Sequence, residues 1–133
     1  MVDWIYITKK KYKMIKIGNN ISEFSVYSCQ PKTRVELWKI IDERIREQGV
    51  NCDLNDIDVS RITDISYLFY RSKFNGDISE WDVSNVTNMQ GMFWHSEFNH
   101  DISNWKIKED CDTSGMFKYC PIKEEFKPKT IQS

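Results

Sequence analysis

Residues 50–121 are one 24-residue unit written three times without a gap, as Val50–Lys73, Phe74–Glu97 and Phe98–Pro121. A chain built this way buries its apolar face only by stacking one copy on the next, so a solenoid is expected before any local reading begins. The second and third copies share Phe74/Phe98, Asp77/Asp101, Ile78/Ile102, Trp81/Trp105, Gly91/Gly115, Met92/Met116 and Phe93/Phe117. The first and second share Asp53/Asp77, Asp58/Asp82, Val59/Val83, Ser60/Ser84, Thr63/Thr87 and Phe69/Phe93. Each copy is expected to form strand, bend, short strand and one helical turn, with Ile78, Trp81, Val83, Val86, Met89, Met92 and Phe93 pointing inward. In the third copy the polar run Lys106–Asp110 is expected to close the stack.

The flanks divide as a β-meander over 1–30, a capping helix over 31–49 and a tail over 122–133. The meander rests on period-two alternation in Trp4–Thr8, Tyr12–Ile17 and Ile21–Ser28, punctuated by Gly18, Asn19 and Asn20. Thr33 with Glu36 forms a capping-box pattern, and Gly49 supplies a left-handed terminator. Leu37, Trp38, Ile41 and Ile45 make the helix's apolar stripe, with Ile40 at its margin, opposite Arg34, Asp42, Arg46 and Glu47. Its expected task is to cover the open end of the solenoid.

At 133 residues the chain fits one domain. Its net charge of -1 hides an asymmetry: residues 50–121 hold twelve acids against six bases, and residues 1–28 five lysines against two acids. The acidic tract disfavours direct nucleic-acid binding and favours a basic protein partner. The Lys9–Lys13 tip reads as a solvated turn or a phosphate contact. No apolar run approaches the roughly 18–20 residues of a membrane span, and no secretory signal is evident, so a cytoplasmic protein without membrane contact is expected. Cys29, Cys52, Cys111 and Cys120 are expected as reduced thiols; they contain no C-x-x-C pair, and no metal or cofactor is expected.

The segments Asn51–Ser60 (NCDLNDIDVS), Phe74–Phe93 (FNGDISEWDVSNVTNMQGMF) and Cys120–Pro128 (CPIKEEFKP) resemble the BspA-like family, whose leucine-rich-like repeats occur in bacterial surface proteins and mycoplasma lipoproteins. The resemblance covers about residues 33–128. It implies a leucine-rich-repeat-like fold and macromolecular binding, as in secreted adhesins, with no catalytic residues to carry over. The expected class is therefore α+β: a short leucine-rich-repeat-like solenoid with a helical cap and a small antiparallel meander.

The column Asp53, Asp77 and Asp101 would stack at about 4.8 Å, either accepting N–H bonds at its own turns or bridged by calcium. His95 and His100 read as surface histidines, and Trp81 and Trp105 as core. Tyr70 and Trp94 share a slot that Lys118 fills in the third copy, which reads either as an exposed anchor or as partial packing against the neighbouring copy; with Arg71 and His95 they are the partner-binding candidates. Asp58 and Asp82 are read as an acidic patch that steers a basic partner. No phosphate loop, metal quartet or nucleophile triad points to an enzyme. The expected function is non-catalytic protein–protein interaction inside the cell. The alternatives are a phage or mobile-element inhibitor of a host nucleoprotein defence complex, of anti-CRISPR type, and an adhesin-like surface module. The meander would add a second contact surface or a dimer edge.

Overall fold

The computed structural model describes residues 2–7, 10–25, 27 and 29–130. Near the amino terminus the backbone runs through β1 (Val2–Ile7), β2 (Lys10–Ile17) and β3 (Asn20–Ser25), paired antiparallel in that order. Lys9, in the lysine-rich tip, lies outside the described residues, as do Thr8 and Ser28 at the ends of expected strands.

From Cys29 to Thr130 there is one α-helix, α1 (Arg34–Gln48), one short 3-10 turn at Glu124–Phe126, and no strand or sheet. This overturns the expected α+β solenoid, and with it the strands and helical turn assigned to each copy. Single parallel bridges join successive copies at Asp53 with Asp77, Asp64 with Asn88, and Asn88 with Asp112. Between these points each copy is a chain of tight turns, because short polar side chains occupy its corners. Asp53, Asp58 and Asp64 each accept, through Oδ1, the N–H of the residue two positions on, at 2.8, 3.0 and 2.8 Å. Asp77, Asp82 and Asn88 do the same in the second copy, and Asp101 and Asp112 in the third. Ser72 and Ser96 turn a fourth corner by accepting from Phe74 and Phe98. An Asx or Ser turn of this kind competes with strand and helix for the backbone, and four in each of the first two copies and two in the third leave no room for either.

The inward slots were legible. Ile78, Trp81, Val83, Val86, Met89, Met92 and Phe93 are all buried, in one cluster with their first-copy counterparts and with Ile102, Trp105 and Met116 of the third. Aromatic columns run through the stack: Phe69, Phe93 and Phe117 lie parallel at centroid spacings of 5.5 and 5.6 Å, and Trp81 lies over Trp105 at 6.3 Å. Each tryptophan also donates its indole N–H to the preceding copy, Trp81 to Leu54 O at 2.9 Å and Trp105 to Ile78 O at 3.1 Å. A large apolar side chain thus enters the core with its one polar atom satisfied.

Helix α1 starts at Thr33, whose Oγ1 accepts from Glu36 N, and ends at Gly49, φ 91°. Leu37 and Ile41 are its buried residues, packed on the first copy. Two expectations are corrected here. Trp38 is 48% exposed rather than part of the buried stripe. Arg34, expected on the opposite face, turns to the solenoid and donates through Nε to Ser66 O at 2.5 Å. Arg44, one helical turn from Ile41 on the same side, forms a two-pronged pair with Asp56 at 2.9 Å each, and this holds its guanidinium pKa above the usual value. Positions 34, 37, 41 and 44 therefore form the docking stripe, in which arginines take slots that a purely apolar reading gives to Trp38.

At the other end the chain continues beyond the third copy. Ile122 is buried in the slot of Phe74 and Phe98, Lys123 N donates to Asn99 Oδ1 at 3.0 Å as Asn99 N does to Asn75, and Ile102 N donates to Phe126 O at 2.9 Å. Residues 122–127 are the start of a fourth copy, not a tail.

Candidate functional site

In the three copies the corners at Asp64, Asn88 and Asp112 are followed by runs of overlapping turns, residues 65–72, 89–96 and 113–120. Their N–H groups divide by parity. Leu68, Tyr70 and Ser72 donate back three residues within their own turn, while Ile65, Tyr67, Phe69 and Arg71 donate to Asn88, Gln90, Met92 and Trp94 of the next copy at 2.8–3.0 Å. The second copy repeats this from Met89 to His95. Every backbone donor of the first two runs is thereby satisfied, and the runs stack as a rigid face.

This geometry forces two residues of each run into left-handed backbone. One slot holds Tyr67, Gly91 and Gly115 at φ 55°, 59° and 63°; the other holds Arg71, His95 and Tyr119 at 54°, 58° and 56°. Glycine takes such conformations without steric cost, whereas other L-residues lose roughly 1–2 kcal/mol. The first slot uses glycine twice. The second never does, retaining Arg, His and Tyr against that cost, and strain kept in three consecutive copies points to a use for those side chains.

Those side chains form a continuous exposed ridge across the copies. Tyr70, 43% exposed, meets Tyr67 and Trp94 edge-on at centroid distances of 6.0 Å each. Trp94 stacks beside His95 at 6.1 Å, and His95 stacks on Tyr119, 68% exposed, at 4.7 Å. Arg71 lies over the Tyr70 ring at 5.3 Å, and Lys118 over Trp94 and Tyr119 at 5.3 and 5.6 Å. The indole Nε1 of Trp94 is buried without an acceptor among the described residues, unlike those of Trp81 and Trp105. Gly91 makes room for the ridge, since a Cβ there would overlap the Tyr67 ring.

The structure thus brings Tyr70, Arg71, Trp94 and His95 together, joined by Tyr67, Lys118 and Tyr119, which were not among the sequence candidates. One signal for the latter three was readable: the runs 65–72, 89–96 and 113–120 contain no acid, although the tract around them holds twelve. Asp58 and Asp82 do not belong to the ridge, and the open acidic patch is corrected. Asp58 is only 3% exposed, its Oδ1 held by Ser60 N and its Oδ2 buried without a hydrogen-bond partner among the described residues. Asp82 is half-buried and accepts from both the amide and the hydroxyl of Ser84. Asp53, Asp77 and Asp101 cap their own turns, as local turn chemistry requires. His100 is exposed beside a shallow depression lined by Asp77, Ser79, Asp101 and Ser103. Among the described residues no group of three or more His, Cys, Asp or Glu is arranged to hold a metal, and no helix is long and apolar enough to cross a membrane.

Stacked turns, a helical cap and an exposed aromatic ridge define a short solenoid repeat protein. The chain belongs to a family described as Mycoplasma protein of unknown function, DUF285, whose sequence profile matches residues 41–127, from the middle of α1 through the partial fourth copy. No curated protein and no solved structure matches the chain.

Proposed function

We propose that this protein is a non-catalytic binding module that takes a protein partner on the ridge of Tyr67, Tyr70, Arg71, Trp94, His95, Lys118 and Tyr119. The supporting observation is the slot of Arg71, His95 and Tyr119, where strained backbone is kept in three copies and every side chain joins one exposed surface. Tyrosine, tryptophan and arginine are the residue types that dominate protein-interface energetics, since they bring large contact area at low conformational cost. The BspA-like character of the repeats supports a binding role in the same sense. The inhibitor reading, in which acidic columns imitate nucleic acid, is less well supported, because those carboxylates serve their own corners.

The test is affinity capture with the tagged full chain from nuclease-treated bacterial lysate and, in parallel, from cell-surface extract. A stoichiometric protein partner is expected, lost at least tenfold with Tyr70→Ala or Tyr119→Ala, whose thermal midpoints stay near wild type. The fraction that yields it reports whether binding takes place inside the cell or at a surface. Undiminished capture by both variants, or recovery of nucleic acid alone, would refute the proposal.

A further inference from the structure

The ridge differs in charge from the acidic corners beside it. Its three runs hold Arg71, Lys118 and His95 and no carboxylate, whereas Asp64 and Asp112 stand at the corners that open the first and third, Asn88 opens the second, and Lys73 and Glu97 lie just past the ends of the first and second. Arg71 and Lys118 lie over the rings of Tyr70, Trp94 and Tyr119, so they are positioned in advance and lose little freedom when an anion arrives. A partner docking here meets positive charge on an aromatic floor, with acids at the corners opening the first and third runs.

Resting on the reading above, we infer that the partner segment is a short acidic stretch of protein, carrying Asp or Glu beside an apolar or aromatic side chain. Charge complementarity carries this choice: carboxylates of the segment pair with Arg71 and Lys118, and its apolar side chain packs on Tyr70 and Trp94. This reverses the partner charge that the acidic composition of the tract suggests, because overall composition averages over corners that are occupied and a face that is not. The length of the stack also limits the segment. Three copies span only about 10–15 Å at a spacing near 4.8 Å, which an extended segment of a few residues fills.

The experiment pans a random 12-residue peptide display library on the full chain and measures the enriched peptides, synthesised, by calorimetry. Enrichment of Asp or Glu beside an aromatic or aliphatic residue is expected. Binding should fall at least tenfold with Lys118→Glu and with Arg71→Asn, the latter suited to the left-handed backbone and so folded, and should weaken as salt rises. Neutral or basic peptides that are lost with Tyr70→Ala but indifferent to Lys118→Glu overturn the acidic partner and leave the ridge a protein-binding surface. No enrichment overturns both readings. A 15-nucleotide oligo-dT that binds more tightly than any selected peptide, and is released by Lys118→Glu, overturns the proposal in favour of single-stranded nucleic acid.

Discussion

Gly91 and Gly115 fill one slot with nearly the same backbone, φ 59° and 63°, yet only Gly91 is enclosed. Its missing Cβ leaves space for Tyr67, whose ring reaches down from the preceding copy and comes within 2.6 Å of where that Cβ would stand. The glycine is thus set by a neighbour 24 residues away as well as by its own φ, since Tyr67 itself tolerates the left-handed conformation in this slot. Gly115→Ala should cost about 1–2 kcal/mol for backbone strain. Gly91→Ala should cost about 1–3 kcal/mol more, the usual range for overpacking. Equal losses in urea denaturation would show that Tyr67 does not rest on Gly91. Sequence alone shows both as glycines of one repeat slot and has no means of telling them apart, because the distinguishing contact lies between copies. The exposure of Tyr70 was legible for the opposite reason: a slot that accepts Tyr, Trp and Lys in successive copies declares that it is not fully buried. Trp38 was misplaced because a hydrophobicity count credits tryptophan and overlooks the reach of Arg34 and Arg44.

Corners, rather than strands, are the elements of this fold. Apolar residues at 78, 81, 83, 86, 89 and 92 recur every two or three positions; read as alternation this suggests strands, but the spacing belongs to successive tight turns. Inward slots survive such a misreading, since a 24-residue period identifies stacked columns whatever the local backbone does. The corner carboxylates titrate in a way that tests their role. At Asp77 burial opposes ionisation but is outweighed by the Ser79 amide, Asn55, the Ser79 hydroxyl and His100; at Asp101 and Asp112 the hydroxyl and then the amide of Ser103 and Ser114 favour the carboxylate. All three folded pKa values therefore lie below the ordinary one. The unfolded chain binds more protons in acid, so this stabilisation is complete above about pH 4 and is lost as pH falls through the folded values. Urea midpoints should hold steady from about pH 7 to 5 and decline below about pH 4. Asn88 turns the same kind of corner with its amide oxygen at 3.0 Å, so an Asp77→Asn, Asp101→Asn, Asp112→Asn variant should fold and show a shallower acid decline. An equally steep decline would mean that these carboxylates are not the linked groups.

Across the molecule, stability comes from neighbours covering neighbours, and the ends decide how much of the stack survives. Ile122 and Phe126 extend the column positions of Phe98 and Ile102 by one step, so the third copy is packed on both sides near its start. Ile122→Ala should lower unfolding free energy by about 2 kcal/mol, near the low end for buried isoleucine, without splitting the transition seen by tryptophan fluorescence and circular dichroism. An unchanged midpoint would reduce residues 122–127 to a passive tail. This partial copy went unread in the sequence because it is shorter than a period and lacks the Asp that opens the others. The parity of the hydrogen bonds carries a further meaning. Along the ridge runs the first copy gives its alternate N–H groups to the second, and the second to the third, but no described residue accepts from Gly115, Phe117 or Tyr119 N. At the opposite end one of the four equivalent carbonyls, Ser66 O, accepts instead from Arg34 of α1. Along the ridge runs the molecule is therefore polar like a short filament, with a face of N–H groups at one end and, at the other, a face of carbonyls that the helical cap meets at a single point.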